Sequence, residues 1–157
     1  MICCARCPMK PVLYAEDEPD DAFFMQRAWK DAGAPNALVI LKDGQQIIDY
    51  LAGDGAFADR QAHPLPCLLL LDLNLPFKSG FEVFRWIRSH PTLRSLKVVV
   101  VSSSSQESDT ALARSLGAID YVVKPSAPRG LLEIIRQRKH LWLDAHQAPP
   151  PPPPPQV

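Results

Sequence analysis

The sequence predicts an α/β domain, a (βα)5 doubly wound three-layer sandwich built on a five-stranded parallel sheet. Three observations carry that expectation. Five short apolar runs are near-continuous rather than alternating, as in strands covered on both faces. Between them lie segments whose apolar residues recur three and four apart, the spacing of one helix face. The two kinds of segment alternate strictly, which predicts right-handed crossovers between parallel strands. A chain of 157 residues holds one such domain and not two.

Taken in order, the first strand, β1, is expected at residues 12–15. In the helix α1 that follows, Ala22, Met25, Trp29 and Ala32 mark one face, and Gly33 supplies the stop. Strand β2 is expected at 37–41 and helix α2 at 45–52, ending at Gly53. Strand β3 occupies 67–71, and Gly80, Val83, Phe84 and Ile87 then form the stripe of α3, closed by Pro91. Strand β4 covers 98–101, α4 covers 107–116 before Gly117, and β5 covers 121–123. Helix α5 spans 129–144, with Leu131, Ile134, Ile135 and Trp142 on or near one face and Leu132, Leu141 and Leu143 off it.

Composition excludes several classes. Seventeen basic and seventeen acidic residues cancel, so no overall field draws in nucleic acid or an anionic membrane. Apolar runs of about five residues are far short of the roughly 20 that cross a bilayer. Residues 1–9 read as a disordered tail, 10–146 as the domain and 147–157 as a disordered Pro-rich tail. Cys4 and Cys7 have CxxC spacing, but with Cys3 and Cys67 they complete no tetrahedral zinc set. Reduced thiols in a cytoplasmic protein are the expectation. No apolar core of a signal peptide follows Arg6, and Met9 is an alternative start. Residues 149–155 are seven prolines, a polyproline II rod that an SH3-like groove could also recognise. His63, His90, His140 and His146 show no ligand spacing.

In doubly wound folds the site lies beyond the carboxyl ends of the strands. Glu16, Asp17 and Glu18 follow β1. Asp72, Leu73 and Asn74 follow β3, Ser102 follows β4, and β5 ends in Lys124-Pro125. The end of β2, Leu41-Lys42-Asp43, is assigned no chemistry. Glu16, Asp17 and Asp72 brought together repel one another, and a divalent hard cation resolves the repulsion. Magnesium suits such oxygen ligands: Asp17, Asp72 and the Asn74 backbone carbonyl directly, and Glu16 through a water. The plainer reading of Glu16–Glu18 is a solvated acidic loop at a helix start, and Asp20 and Asp21 after Pro19 are assigned to it. A carboxylate can also accept a phosphoryl group. Magnesium, the Lys124 ammonium, and the Ser102 hydroxyl with a backbone N–H would then stabilise its three oxygens. Individually Ser102 is also a turn residue and Lys124 a surface lysine; the joint arrangement is the signal. Pro125 restricts Lys124 to extended backbone and leaves a cis bond open. Tyr121 is either a packer at the sheet edge or a rotamer switch linked to Ser102.

Four strings carry a resemblance to a family: Val12-Leu13-Tyr14-Ala15-Glu16-Asp17-Glu18; Leu68-Leu69-Leu70-Leu71-Asp72-Leu73-Asn74-Leu75-Pro76 with Gly80; 98–101 with Ser102; and Tyr121-Val122-Val123-Lys124-Pro125. From residue 10 to 144 the chain resembles the receiver domain of two-component response regulators. The resemblance implies a flavodoxin-like sheet of order 2-1-3-4-5. It also implies a single-domain response regulator whose Asp72 takes phosphate from a histidine kinase. Glu16 and Asp17 match the acidic metal pair, Asn74 the backbone metal ligand, Ser102 the switch hydroxyl, Lys124 the family's lysine and Tyr121 the switch aromatic. The Asp-Leu-Asn-Leu-Pro string, the serines after β4 and Leu141-Trp142-Leu143 are similar to stand-alone receivers serving bacterial phytochrome-type kinases. Ser103 departs from the family's usual, smaller Ala or Gly. The implied protein is no enzyme beyond its own phosphorylation and dephosphorylation. With no output module after Asp144, its partners would be the kinase, a phosphotransfer protein, a target, or a second copy through α4–β5–α5 or the C-terminal helix. One alternative is an aspartate-nucleophile phosphatase of haloacid dehalogenase type, which normally needs an acid where Asn74 stands. The other is a non-phosphorylated pseudo-receiver scaffold.

Overall fold

A computed structural model describes residues 10–143. The strands are β1 (Val12–Ala15), β2 (Leu38–Leu41), β3 (Leu68–Leu71), β4 (Lys97–Ser102) and β5 (Asp120–Val123). The helices are α1 (Pro19–Asp31), α2 (Gly44–Ala52), α3 (Gly80–Ser89), α4 (Glu107–Ser115) and α5 (Pro128–Leu143). All pairings are parallel, in the order β2-β1-β3-β4-β5. This is the doubly wound (βα)5 fold the patterning predicts. A short 3-10 turn at Gly55–Phe57 follows α2 and carries no periodic signal.

Alternate strand residues feed two separate hydrophobic layers. Leu13, Ala15, Leu69, Leu71, Val98 and Val100 face one side, where Ile47 and Leu51 of α2, Val83, Phe84 and Ile87 of α3 and Ala113 of α4 cover them. Val12, Tyr14, Leu68, Leu70, Val99 and Val101 face the other, under Met25 and Trp29 of α1 and Leu131, Ile135 and Trp142 of α5. The central strands are apolar on both faces because both faces are covered. Polar residues are thereby pushed to the strand ends.

Local chemistry sets where the helices begin. The Asp43 side chain accepts the Gln46 N–H at the start of α2. Ser79 and Glu82 close a capping box at the start of α3, each side chain accepting the other residue's backbone N–H. At Gly80 a Cβ would lie 2.3 Å from the Asp72 carbonyl oxygen, so only glycine lets α3 start this close to the end of β3. Arg88 of α3 is buried and donates to four carbonyls, those of Arg94, Leu96, Leu116 and Gly117. Burial lowers its pKa to about 10. Farther along, Asp120 at the start of β5 accepts from Arg138 and from the Trp142 indole N–H, at 3.0 and 2.9 Å. That clamps the C-terminal half of α5 to the sheet.

Some expectations need correction or fall outside the described residues. Among the described residues no peptide bond is cis, so Lys124–Pro125 is trans. Leu132 and Leu143, off the main stripe of α5, still pack against the second layer, and only Leu141 is exposed. The simpler account of those leucines therefore holds for two of the three. Residues 1–9 and 147–157, expected as tails, lie outside the described residues, as do residues 144–146 at the end of the expected domain. No helix among the described residues is long and apolar enough to cross a membrane.

Candidate functional site

Strand register builds the site. Ala15 pairs with Leu71, so the next residues, Glu16 and Asp72, emerge side by side at the carboxyl edge. Backbone bonds tie them in: Asp72 N–H to the Ala15 carbonyl, and Glu16 N–H to the Leu41 carbonyl. On the far side Ser102 pairs with Val123, and the Lys124 N–H donates to the Ser102 carbonyl at 2.7 Å. Four of the five strand ends meet there, as the sequence suggests.

Lys124 is the hub. Its ammonium donates to Asp72 Oδ2 at 2.7 Å, Glu16 Oε2 at 2.6 Å and Asp21 Oδ2 at 2.9 Å. Glu16 and Asp72 are buried, at 1% and 3% exposure. Glu16 Oε2 also accepts the Tyr14 hydroxyl, and Oε1 accepts the Glu18 N–H. Asp72 Oδ1 accepts the Asn74 N–H at 3.0 Å. Asp17, though exposed, brings an oxygen into a group with Glu16 and Asp72 whose members all lie within 4.8 Å of one another.

The electrostatics follow from burial. Desolvation raises the Glu16 pKa, and the neighbouring Asp72 carboxylate adds to it. Desolvation works against the Lys124 charge, but the bonds to Asp72, Glu16 and Asp21 outweigh it and hold the ammonium above its ordinary pKa. The Tyr14 phenol is held well above its usual range by burial and by the Glu16 charge. Counting Asp21, four carboxylates surround one ammonium, a formal excess of three negative charges. Hard oxygen donors with uncompensated charge suit a divalent cation, so the residues present fit one.

The sequence reading assigns Asp21 to the solvated start of α1. The structure corrects this: its carboxylate is in the site, bonded to Lys124. An aspartate in a first helical turn has a sufficient local explanation, and no spacing reveals a contact with a residue 103 positions away. Ser104 is also missed. Its N–H donates to Ser102 Oγ at 3.2 Å, and its carbonyl accepts the Tyr121 hydroxyl at 2.8 Å. Its own hydroxyl donates to Asp109 of α4 at 2.6 Å. One loop residue therefore joins Ser102, Tyr121 and α4. Ser102 itself is fully buried, Tyr121 is half-buried against the first layer, and Ser103 is exposed. Asn74 supplies a backbone N–H and no acid where a phosphatase of the alternative class would carry one.

Comparison with known proteins agrees with this geometry. Residues 12–136 match the response regulator receiver domain. The response regulator Rcp1 of Synechocystis sp. is 32% identical over 142 residues, covering 90% of this chain and 95% of its own. The structure of the phosphorylated cyanobacterial phytochrome response regulator RcpA superposes with a TM-score of 0.80 at 33% identity, over 90% of this chain and 99% of that one. RPA3017, a response regulator in red light signalling of R. palustris, gives 0.82 at 35% identity over the same shares. The Mn2+-bound form of Rcp1 gives 0.78 at 31%, over 89% of this chain and 99% of that one. A parallel 2-1-3-4-5 sheet, an acidic carboxyl edge closed by a lysine, and homology along nine-tenths of the chain lead to one conclusion: the protein belongs to the response regulator receiver domain family, with phytochrome response regulators among its homologues.

Proposed function

We propose that Asp72 is a phosphoacceptor that takes a phosphoryl group from a histidine kinase in a magnesium-dependent reaction. The observation that carries this is the Asp72 carboxylate, held by Lys124 through one oxygen and the Asn74 N–H through the other, beside Glu16 and Asp17. A carboxylate oxygen attacks phosphorus while the phosphorus–nitrogen bond of the donor's phosphohistidine breaks. The imidazole leaves with the bonding pair, and water later returns the acyl phosphate to carboxylate. Bound magnesium supplies charge neutralisation for the transferring group; Asp17, Asp72 and the Asn74 carbonyl would hold it, with Glu16 acting through water. Lys124 keeps the carboxylate oriented and stabilises charge on the transferred group. Ser102 is the hydroxyl that turns toward a phosphorylated Asp72. That movement withdraws it from the Ser104 N–H, loosens the loop that holds Tyr121, and changes the α4–β5–α5 surface.

Kinases of phytochrome type are the donors favoured by homology to RcpA and Rcp1, and a phosphotransfer protein is a second source. The α4–β5–α5 face or α5 would carry output, to a target or to a second copy. A cytoplasmic setting suits the free Cys67 thiol. The test is labelling with acetyl phosphate: the wild-type chain gains one phosphoryl group with magnesium and none with chelator. Asp72→Asn gains none in either case while keeping the wild-type circular dichroism spectrum.

A further inference from the structure

Phe77, on the loop between β3 and α3, is the one non-glycine residue with positive φ among the described residues, at 66°. The Lys78 N–H donates to the Pro76 carbonyl at 2.8 Å, closing a γ-turn around it. With its central residue in the left-handed region such a turn is rare and strained, and a bulky aromatic is an unfavoured occupant. The fold nevertheless holds it. The Pro76 carbonyl also accepts the Gly44 N–H at the start of α2, and a Cβ on Gly44 would meet the Lys78 carbonyl oxygen at 2.2 Å. The ring joins neither hydrophobic layer and is 86% exposed, the most exposed large apolar side chain among the described residues. Two helices and a strained turn thus keep an aromatic ring in water. Folding gains nothing from this.

The loop's position gives the ring a use. It leaves the sheet at Asp72, and its Asn74 N–H holds the Asp72 carboxylate. Any macromolecule that brings phosphorus to Asp72 must cover the loops bordering it. We propose that Phe77 is a specificity-determining anchor for a protein phosphodonor, its ring entering an apolar pocket beside the donor's phosphohistidine. The inference rests on Asp72 being the acceptor. A ring on a backbone already fixed in place loses little freedom on docking, the property of an interface anchor. A small acyl phosphate has no surface to meet it.

Phe77→Asn tests the anchor, because asparagine tolerates the left-handed region better than phenylalanine. Two donors are compared: acetyl phosphate, and an autophosphorylated histidine kinase of cyanobacterial phytochrome type. The variant should take phosphate from acetyl phosphate at the wild-type rate. From the kinase it should be at least about tenfold slower at low concentration, with the loss in apparent KM rather than maximal rate, and Phe77→Tyr should restore transfer. Its thermal midpoint should equal or exceed that of the wild type, since strain is relieved. Equal kinase rates for wild type and Phe77→Asn overturn the anchor. So does a wild-type chain that acetyl phosphate labels and the kinase does not, and so does a variant that melts well below wild type. Failure of acetyl phosphate to label the wild type overturns the assignment of Asp72 instead.

Discussion

Lys124 shows how one side chain serves both folding and chemistry. Its ammonium is the direct partner of two buried carboxylates, Glu16 and Asp72, and of the more exposed Asp21. Replacing it with methionine keeps the packing of the stem but leaves Glu16 buried with only a phenol and a backbone N–H. The cost of a buried charge losing its partner is several times that of a surface pair, so Asp21 contributes little to the loss. We expect Lys124→Met to lower stability by about 3 kcal/mol in urea titration. Some labelling of Asp72 by acetyl phosphate should survive, because the nucleophile is intact. The phosphorylation-dependent change at Tyr121 should not, because without the ammonium the phosphoryl group is no longer held where the Ser102 hydroxyl turns to meet it.

Helix α3 is the element that aims Asp72. Its first residue touches the carbonyl of Asp72 so closely that Gly80→Ala must push the helix or the strand end aside. Calorimetry should show a lower melting midpoint, by about 3 kcal/mol of stability, and acetyl phosphate should label the variant more slowly. At the other end of the same helix Arg88 ties α3 to the segment before β4 and the segment after α4 through four carbonyls. Arg88→Met leaves those acceptors without a donor and should cost at least about 3 kcal/mol, with no effect on labelling in the fraction that remains folded. Helical periodicity placed α3, and the capping box of Ser79 and Glu82 that fixes its start is a finding of the structure. That Arg88 and not Arg85 is buried follows from the same stripe, since Arg88 lies four residues after Phe84; the carbonyls that receive it were not legible, because only the folded loops bring them there. The strand-end residues Glu16, Asp72, Ser102 and Lys124 were legible because parallel register carries consecutive strand ends to one edge. Asp21, Ser104 and Phe77 were not. Each is placed by a contact or turn that only the assembled loops create.

For the whole molecule, the uncompensated charge at the carboxyl edge links folding to cation binding. A cation bound only by the folded chain stabilises it by about 2.7 kcal/mol at a hundredfold excess over Kd. Differential scanning fluorimetry should therefore show the midpoint rising with added magnesium and returning to baseline with chelator. Asp17→Asn should blunt the rise without lowering the baseline, since Asp17 is exposed and supports no packing. The two-layer plan explains why so much of this edge is free for chemistry. Alternate residues of each central strand are spent on the two hydrophobic faces, so charge is tolerated only where the strands stop.

The indole of Trp142 makes this architecture visible to a spectrometer. Its N–H rests on Asp120, immediately before Tyr121, so its emission colour senses any rearrangement of the last strand. In a background where Trp29 and Trp86 are phenylalanine, fluorescence would follow activation in real time without an added dye.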